Sequence, residues 1–315
     1  MDQNKTVLAL DIGGTKMAAA VVNADGEILH ENQVQTRSEK GPDGFIDDIV
    51  NLAKPCLNSH HCQTIGIASA GPLDPFRGML INPTNLKTNQ ASWGEFPIVS
   101  RLKERLGLPI ILENDAACAV MGEAWNGLAQ GHNSAMVMTL GTGVGVGVKI
   151  EKKLLRLRDG LHPEASHIPL NFQDHKALCG CGNYGCIEAY LGGRNFTKYA
   201  NQQWGLEAKD GKQLLKLYEA GNTGALKAFQ FYGEVMAQAI NAFAVLFCPE
   251  VIVFSGGFSH SSKAFLETAK IHLHSLLKDR RDGTDFFPEL KVSEMQEAAG
   301  LMGAAKAAMI YPERF

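Results

Sequence analysis

The chain has 315 residues, 45% hydrophobic and 20% charged, with a formal net charge of −3. That is an ordinary globular composition with enough apolar material for two domains or one large one, and it excludes a disordered chain. It also excludes a protein built to grip phosphate backbones, because the basic clusters at 151–158 and 277–283 are short and mixed with acids.

In chain order, "TVLAL", "MAAAVV" and "EILHE" read as three strands joined by the glycine turn "DIGGTK" and the hairpin turn "NADG". A helix follows over "GPDGFIDDIVNLAKPCL", with Phe45, Ile49, Leu52 and Leu57 at helical spacing. "TIGIASAGPLD" is a strand ending in a glycine turn, "LPIILEND" a short buried strand, and "AACAVMGEAWNG" a helix. The opening plan then recurs at "AMVMTLGTGVGVGVKIEKKLLR", as strand, small-residue turn and strand. The junction between the two halves is expected near Asp115–Gly127, where the plan restarts. A long helix over "GALKAFQFYGEVMAQAINAFAVLF", a strand "PEVIVFSGG" and a small-residue helix "QEAAGLMGAAKAAMIY" complete the chain. Met136, Met138, Met295 and Met302 read as core.

The sequence opens without the basic, apolar, small-residue order of a secretory leader, and no stretch reaches the ~20 apolar residues of a membrane span. Four of the seven cysteines, Cys56, Cys62, Cys118 and Cys248, are scattered through apolar contexts. That pattern suits buried single thiols in a reducing compartment, so a cytoplasmic protein is expected.

Asp11, Gly13, Gly14, Thr15 and Lys16 lie where a strand ends in a turn. Glycines and a hydroxyl there suit a phosphate, and the Asp suits a hydrated Mg²⁺ bridging phosphates; a plain hairpin with a buried aspartate fits as well. Gly141, Thr142 and Gly143 form a second loop of the same kind, so that the two can clamp a phosphate chain. Neither is a Walker A loop or a dinucleotide fingerprint. In "ENDA", Asp115 sits where a strand meets a helix. It suits a general base for phosphoryl transfer, and Asn114 or Asp115 equally suits a helix cap.

Cys179, Cys181 and Cys186 follow C-x-C-x₄-C spacing, with His167 twelve residues upstream. Three thiolates and an imidazole satisfy tetrahedral Zn²⁺, and a closed structural zinc is favoured over free thiols. His162, His175, His60, His61 and His132 stand in turn-like contexts and read as solvated.

Together "LALDIGGTKMAAAVV", "ASAGPLD", "LENDAACAVMGE", "LGTGVGVGV", "EASHI…CGCGNYGCIEAY" and "VIVFSGG" resemble the ROK family of repressors and sugar kinases, in the same order over essentially the whole chain. The resemblance implies an α/β, ribonuclease-H-like fold of the actin and hexokinase superfamily, with two domains flanking a cleft. The expected division is residues 1–117, then 118–298 carrying the zinc clip, with a helix at about 299–315 packing back on the first. It implies an ATP-dependent kinase acting on a hexose 6-hydroxyl, with glucose favoured and N-acetylmannosamine or N-acetylglucosamine as alternatives. A sugar-sensing regulator is the alternative of another class.

Carried over by motif, Asp115 would be the base. Gly71, Asn114, Glu164, His167 and Glu188 would bind sugar, His167 also holding zinc with the three cysteines. Asp11, Gly13 to Lys16, Gly141 to Gly143, and Gly256 with Gly257 would meet ATP and its Mg²⁺. A homodimer is expected, with no nucleic acid and no membrane. The family's usual G-A-x-G-x-x-G-E-x-G-H is altered here: Leu157 and Arg158 replace small residues, and Pro163 and Ser166 replace glycines. Val146 stands where the second loop generally has a glycine. Altered sugar preference or reduced turnover is the expectation these departures raise.

Overall fold

The computed structural model describes residues 5–311 other than 84–85, 89–90, 282–283, 285 and 296–297. The chain begins as an antiparallel meander, β1 (Thr6–Ile12), β2 (Lys16–Asn23) and β3 (Ile28–Gln35), followed by α1 (Gly41–Ser59) and β4 (Ile65–Ser69). Five two- or three-residue strands come next: β5 (Leu73–Asp74), β6 (Met79–Ile81), β7 (Lys87–Thr88), β8 (Ala91–Ser92) and β9 (Glu95–Phe96). Then come α2 (Ile98–Leu106), β10 (Ile110–Asn114) and α3 (Asp115–Asn126). The second meander is β11 (Ala135–Leu140), β12 (Val144–Ile150) and β13 (Lys153–Leu154). The helices α4 (Ile187–Leu191), α5 (Gly193–Trp204), α6 (Gly211–Glu219) and α7 (Thr223–Phe247) lead to β14 (Val251–Ser255), α8 (Leu266–Arg281), β15 (Glu289–Val292) and α9 (Ala298–Ile310).

Two five-stranded sheets result, ordered β10-β4-β1-β2-β3 and β13-β12-β11-β14-β15. They share one plan. β1 pairs antiparallel with β2 and parallel with β4; β11 pairs antiparallel with β12 and parallel with β14. β1, β4 and β14 are apolar almost throughout, as strands covered on both faces must be. Phe45, Ile49 and Leu102 cover one face of the first sheet, whereas Phe196, Tyr232, Phe243 and Phe254 build the larger core of the second half.

The stretch around Asp115–Gly127 is helix α3, and α9 packs along it and against β1 and β4. The approach is close enough that a Cβ on Gly303 would stand 1.7 Å from the Cys118 carbonyl oxygen. Glycine and alanine in both helices therefore set the crossing that brings the start of α3 beside the end of β1. The last four residues of the expected C-terminal helix, 312–315, lie outside the described residues.

Among the described residues no helix is long and apolar enough to cross a membrane. Met136, Met138 and Met302 are buried as expected, and Met295 packs against the cluster that holds Met302. Two expectations fail. Cys248 is exposed at the end of α7, where the chain turns left-handed, so it is no buried thiol. His162 is largely buried, not solvated, and follows directly on the hydrogen-bonded 157–161 turn.

Candidate active site

The centre of the site is the junction of β10 and α3. Asn114, with extended backbone, caps the helix: its Oδ1 accepts from the Ala116 N–H at 2.8 Å and the Ala117 N–H at 3.1 Å. The cap therefore belongs to Asn114, leaving its amide NH₂ to face the turn at Gly71, where a Cβ would lie 3.7 Å from Nδ2. Asp115 occupies the first helical position, with Oδ1 accepting from the Ala116 N–H at 2.8 Å. Burial pushes its carboxyl above the ordinary aspartate value, against hydrogen bonds from the Ala116 N–H and the Asn114 side chain. A carboxylate so placed is a stronger base than a solvated one, and the helix N-terminus keeps it available as an anion.

Glu113 points to the opposite side of β10 and is almost wholly buried. It forms an ion pair with Arg156 and accepts from the Asn114 N–H at 3.1 Å. Arg156 also donates to the Gly160 carbonyl at 3.3 Å and lies over the Tyr311 ring. Sequence reasoning missed this pair. The two residues are far apart in the chain, and Arg156 lies in a short basic cluster mixed with acids that carries no motif.

The altered segment 157–166 is a compact turn, with Leu157 N–H bonded to the Leu161 carbonyl at 2.7 Å. Pro163 and Ser166 are buried, and neither adopts a left-handed backbone, so the loss of glycine introduces no strain there. Glu164 stands with Oε1 3.4 Å from His162 Nε2 and Oε2 4.0 Å from His167 Nε2. A Cβ on Gly71 would lie 3.5 Å from Glu164 Oε1. Burial pushes the Glu164 carboxyl up; His167 pulls it down, while Asp115 and Glu188 push it further up. Three carboxylates thus share one electrostatic neighbourhood.

His167 Nδ1 faces the other way, 3.4 Å from Cys179 Sγ. The sulfurs of Cys181 and Cys186 are 3.8 Å apart, and all four candidate ligand atoms lie within 4.8 Å of one another. Ligands about 2.3 Å from a tetrahedral zinc stand about 3.8 Å apart, so the donor set fits. Burial pushes the Cys179 thiol up, so it holds its proton until a metal ion displaces it.

From the clip the contacts run to the second glycine loop. Glu188 Oε1 is 3.6 Å from Cys179 Sγ, and Oε2 accepts from the Val144 N–H at 3.0 Å. Gly143 is what permits this, since a Cβ there would meet Oε2 at 2.5 Å. The carbonyls of Gly141 and Thr142 accept from the N–H groups of Gly193 (2.9 Å) and Arg194 (3.4 Å) at the start of α5. Gly256, just after β14, lies against the Leu140 carbonyl, and Gly257 opens a 3-10 turn over 257–264.

The first loop is fastened to its own sheet. Thr36 donates from Oγ1 to the Gly13 carbonyl (2.7 Å) and from N–H to the Thr15 carbonyl (2.9 Å). Gly14, Thr15 and Lys16 are exposed. It reaches the rest through Asp11, whose Oδ2 and the Asp115 carbonyl lie within 4.0 Å of one point, the Cβ position of Gly300 on α9. The structure thus places Asp115, Gly71, Asn114, Glu164, His167, the cysteines, Glu188 and the second loop in one run of neighbours, with Asp11 and Asp115 both bordering Gly300. Asp11, just before the Gly13–Lys16 turn, stands nearest to them.

The sequence profile described as the ROK family matches residues 7–309. A glucokinase of Streptomyces coelicolor is 31% identical, covering 96% of each chain. An N-acetylmannosamine kinase of Escherichia fergusonii is 32% identical over 95% of this chain and 97% of its own. Among solved structures, a ROK family glucokinase from Streptomyces griseus in complex with glucose and AMPPNP superposes with a TM-score of 0.81 at 30% identity, covering 96% of this chain and 99% of that one. The fold is accordingly the actin/hexokinase-like fold of the ROK sugar kinases. With the profile spanning nearly the whole chain and these likenesses running end to end, the chain belongs to the ROK family.

Proposed function

We propose that this protein is an ATP-dependent hexose kinase that phosphorylates the sugar 6-hydroxyl, with glucose the favoured substrate. The observation that carries the reading is the run of neighbouring groups from Asp115 and Asn114, past Gly71, to Glu164, His167, the cysteine clip, Glu188 and the Val144 N–H. It joins a base, a carboxylate-rich wall and a phosphate-type loop. Likeness to the glucokinase holding glucose and AMPPNP supports the same reading. Likeness to the N-acetylmannosamine kinase keeps an N-acetylhexosamine as the second substrate class.

In this reading Asp115 takes the proton from the sugar hydroxyl as its oxygen attacks the γ-phosphorus, and ADP leaves. Asn114 donates through its remaining amide. Glu164, His167 Nε2 and Glu188 meet other hydroxyls through charge-assisted bonds, beside the turn at Gly71. Gly13 to Lys16, Gly141 to Gly143, Gly256 and Gly257 would lie along ATP, with Asp11 toward its metal. Mg²⁺ bound with ATP would neutralise phosphate charge. Zinc on His167, Cys179, Cys181 and Cys186 would hold the wall and take no part in the chemistry. We also assign a division into residues 1–117 and 118–298, with 299–315 returning to the first part, and a cytoplasmic homodimer that binds neither nucleic acid nor membrane.

ADP release with Mg·ATP against a panel of hexoses and N-acetylhexosamines tests the reading, with Asp115→Asn beside the wild type. Turnover that needs a sugar and collapses in the variant is expected, with glucose giving the highest kcat/KM. ATP hydrolysis indifferent to every sugar would overturn it.

A further inference from the structure

The turn-like context of His162 suggests a solvated histidine, yet its side chain is only 10% exposed and stands beside Glu164. Its Nε2 stands 3.4 Å from Oε1 of that carboxylate, while His167 Nε2 stands 4.0 Å from Oε2. Glu164 is therefore flanked by two imidazoles. Its Oε1 is also the oxygen that borders Gly71, beside the Asn114 amide.

The Glu164 side chain is itself 55% exposed, and a glutamate that open would otherwise sample many rotamers. His162 cannot wander in the same way. It follows a turn held by the Leu157–Leu161 hydrogen bond and by Arg156, which donates to the Gly160 carbonyl and is paired with buried Glu113. It precedes buried Pro163, whose ring fixes one backbone torsion next to Glu164. Burial, and the Arg156 guanidinium nearby, push the His162 imidazole down to about 4. At neutral pH it carries one N–H and one acceptor nitrogen and no charge. Such a group can orient a carboxylate without cancelling the negative charge that a sugar hydroxyl needs.

We infer that His162 is a positioning residue of the sugar site, holding the Glu164 carboxylate toward Gly71 and Asn114 on a strap that Arg156 anchors to Glu113. The inference rests on the sugar-kinase reading above. A separation of 3.4 Å is longer than a well-formed N–H···O bond. A small rotation of the carboxylate closes it, as such contacts commonly tighten when substrate arrives.

The test is steady-state kinetics on three variants of the full chain, with sugar and ATP varied separately and Tm measured for each. Losing one orienting hydrogen bond to a charged group predicts that His162→Ala raises the sugar KM about five- to tenfold, with kcat and the ATP KM changed less than about threefold. His162→Gln keeps an N–H donor and should recover most of that loss. The double variant Arg156→Met/Glu113→Gln leaves no buried charge unpaired and should give the same sugar-selective rise, because it frees the strap. A merely structural role would lower Tm and shift both KM values together. That result, or a sugar KM unchanged in His162→Ala, overturns the inference while leaving the kinase reading intact. A wild type that phosphorylates no sugar fails the reading, and the inference falls with it.

Discussion

The two β-turn-β units have the same topology and different support. In each, a central strand pairs antiparallel with its successor and parallel with a later strand, and a small-residue turn closes the pair. The first turn, Gly13–Lys16, is braced by Thr36 from just beyond β3. The second, Gly141–Gly143, is braced from outside its sheet, by the start of α5 and by Glu188. Glu188 in turn touches the cysteine clip beside the proposed sugar wall. The second loop thus bonds directly to Glu188, whereas the first is fastened to its own sheet. If both serve ATP, the second should report more strongly on the condition of the proposed wall.

The largest effect belongs to the residue between the units. Asp115→Asn removes the proposed base without changing shape and should lower kcat by about 10²- to 10⁴-fold, with sugar KM little altered. Because burial raises the Asp115 pKa, the acid limb of kcat/KM should lie above the ordinary aspartate value. The same shift has a stability consequence. A carboxyl whose folded pKa exceeds its unfolded value contributes stability below the unfolded pKa and loses it as pH rises through the folded one. Asp115→Asn should therefore raise Tm at neutral pH while abolishing turnover, which a thermal scan at pH 5 and pH 8 would show. A variant that kept its turnover would place the base elsewhere.

Next in size is loss of the clip. Chelation should remove about one zinc per chain and lower Tm, since a closed structural metal contributes directly to folding. Amide exchange should then speed up across 141–144 as well as 167–188, while residues 11–17 stay protected. Equal loosening of both turns would erase the distinction drawn between them.

Gly143→Ala tests the same link with the metal in place. The new Cβ would stand 2.5 Å from Glu188 Oε2, so the carboxylate or the loop must shift. kcat/KM for ATP should fall about tenfold, a cost of about 1.4 kcal/mol, and the sugar KM should rise as well. Joint movement of the two constants is the signature of a shared support.

How far the sequence could be read follows the same division. The meanders, α1, α3, α7 and α9 were legible because their apolar periods and glycine turns are local. The clip was legible because His167 and the cysteines lie close in sequence. The Glu113–Arg156 pair and the placement of His162 were not, since each depends on a turn that folds back across more than one element. The short strands over 73–96, α8 and β15 also went unseen: the strands are two or three residues long, and α8 carries charge on much of its surface. The capping role of Asn114 stood as an open alternative, and the structure fits it together with a base at Asp115 because the cap uses only the amide oxygen.

The smallest expected effect is at the first turn. Thr36→Val keeps the shape and removes the Oγ1 bond to the Gly13 carbonyl, leaving the backbone bond from Thr36 N–H in place. Losing one partly exposed hydrogen bond costs about 1 kcal/mol, and the loop can recruit water in its place. The ATP KM should rise about two- to fivefold, with the sugar KM and the metal content unchanged. Sugar binding that weakened in step with ATP would mean that this turn, too, is coupled to the wall. One path for such coupling runs through Asp11 and α9, which border Asp115. Gly300→Ala offers a way to see that route directly, because its Cβ would lie 3.6 Å from Asp11 Oδ2 and 4.0 Å from the Asp115 carbonyl, ordinary contact distances that a rigid coupling would nonetheless feel.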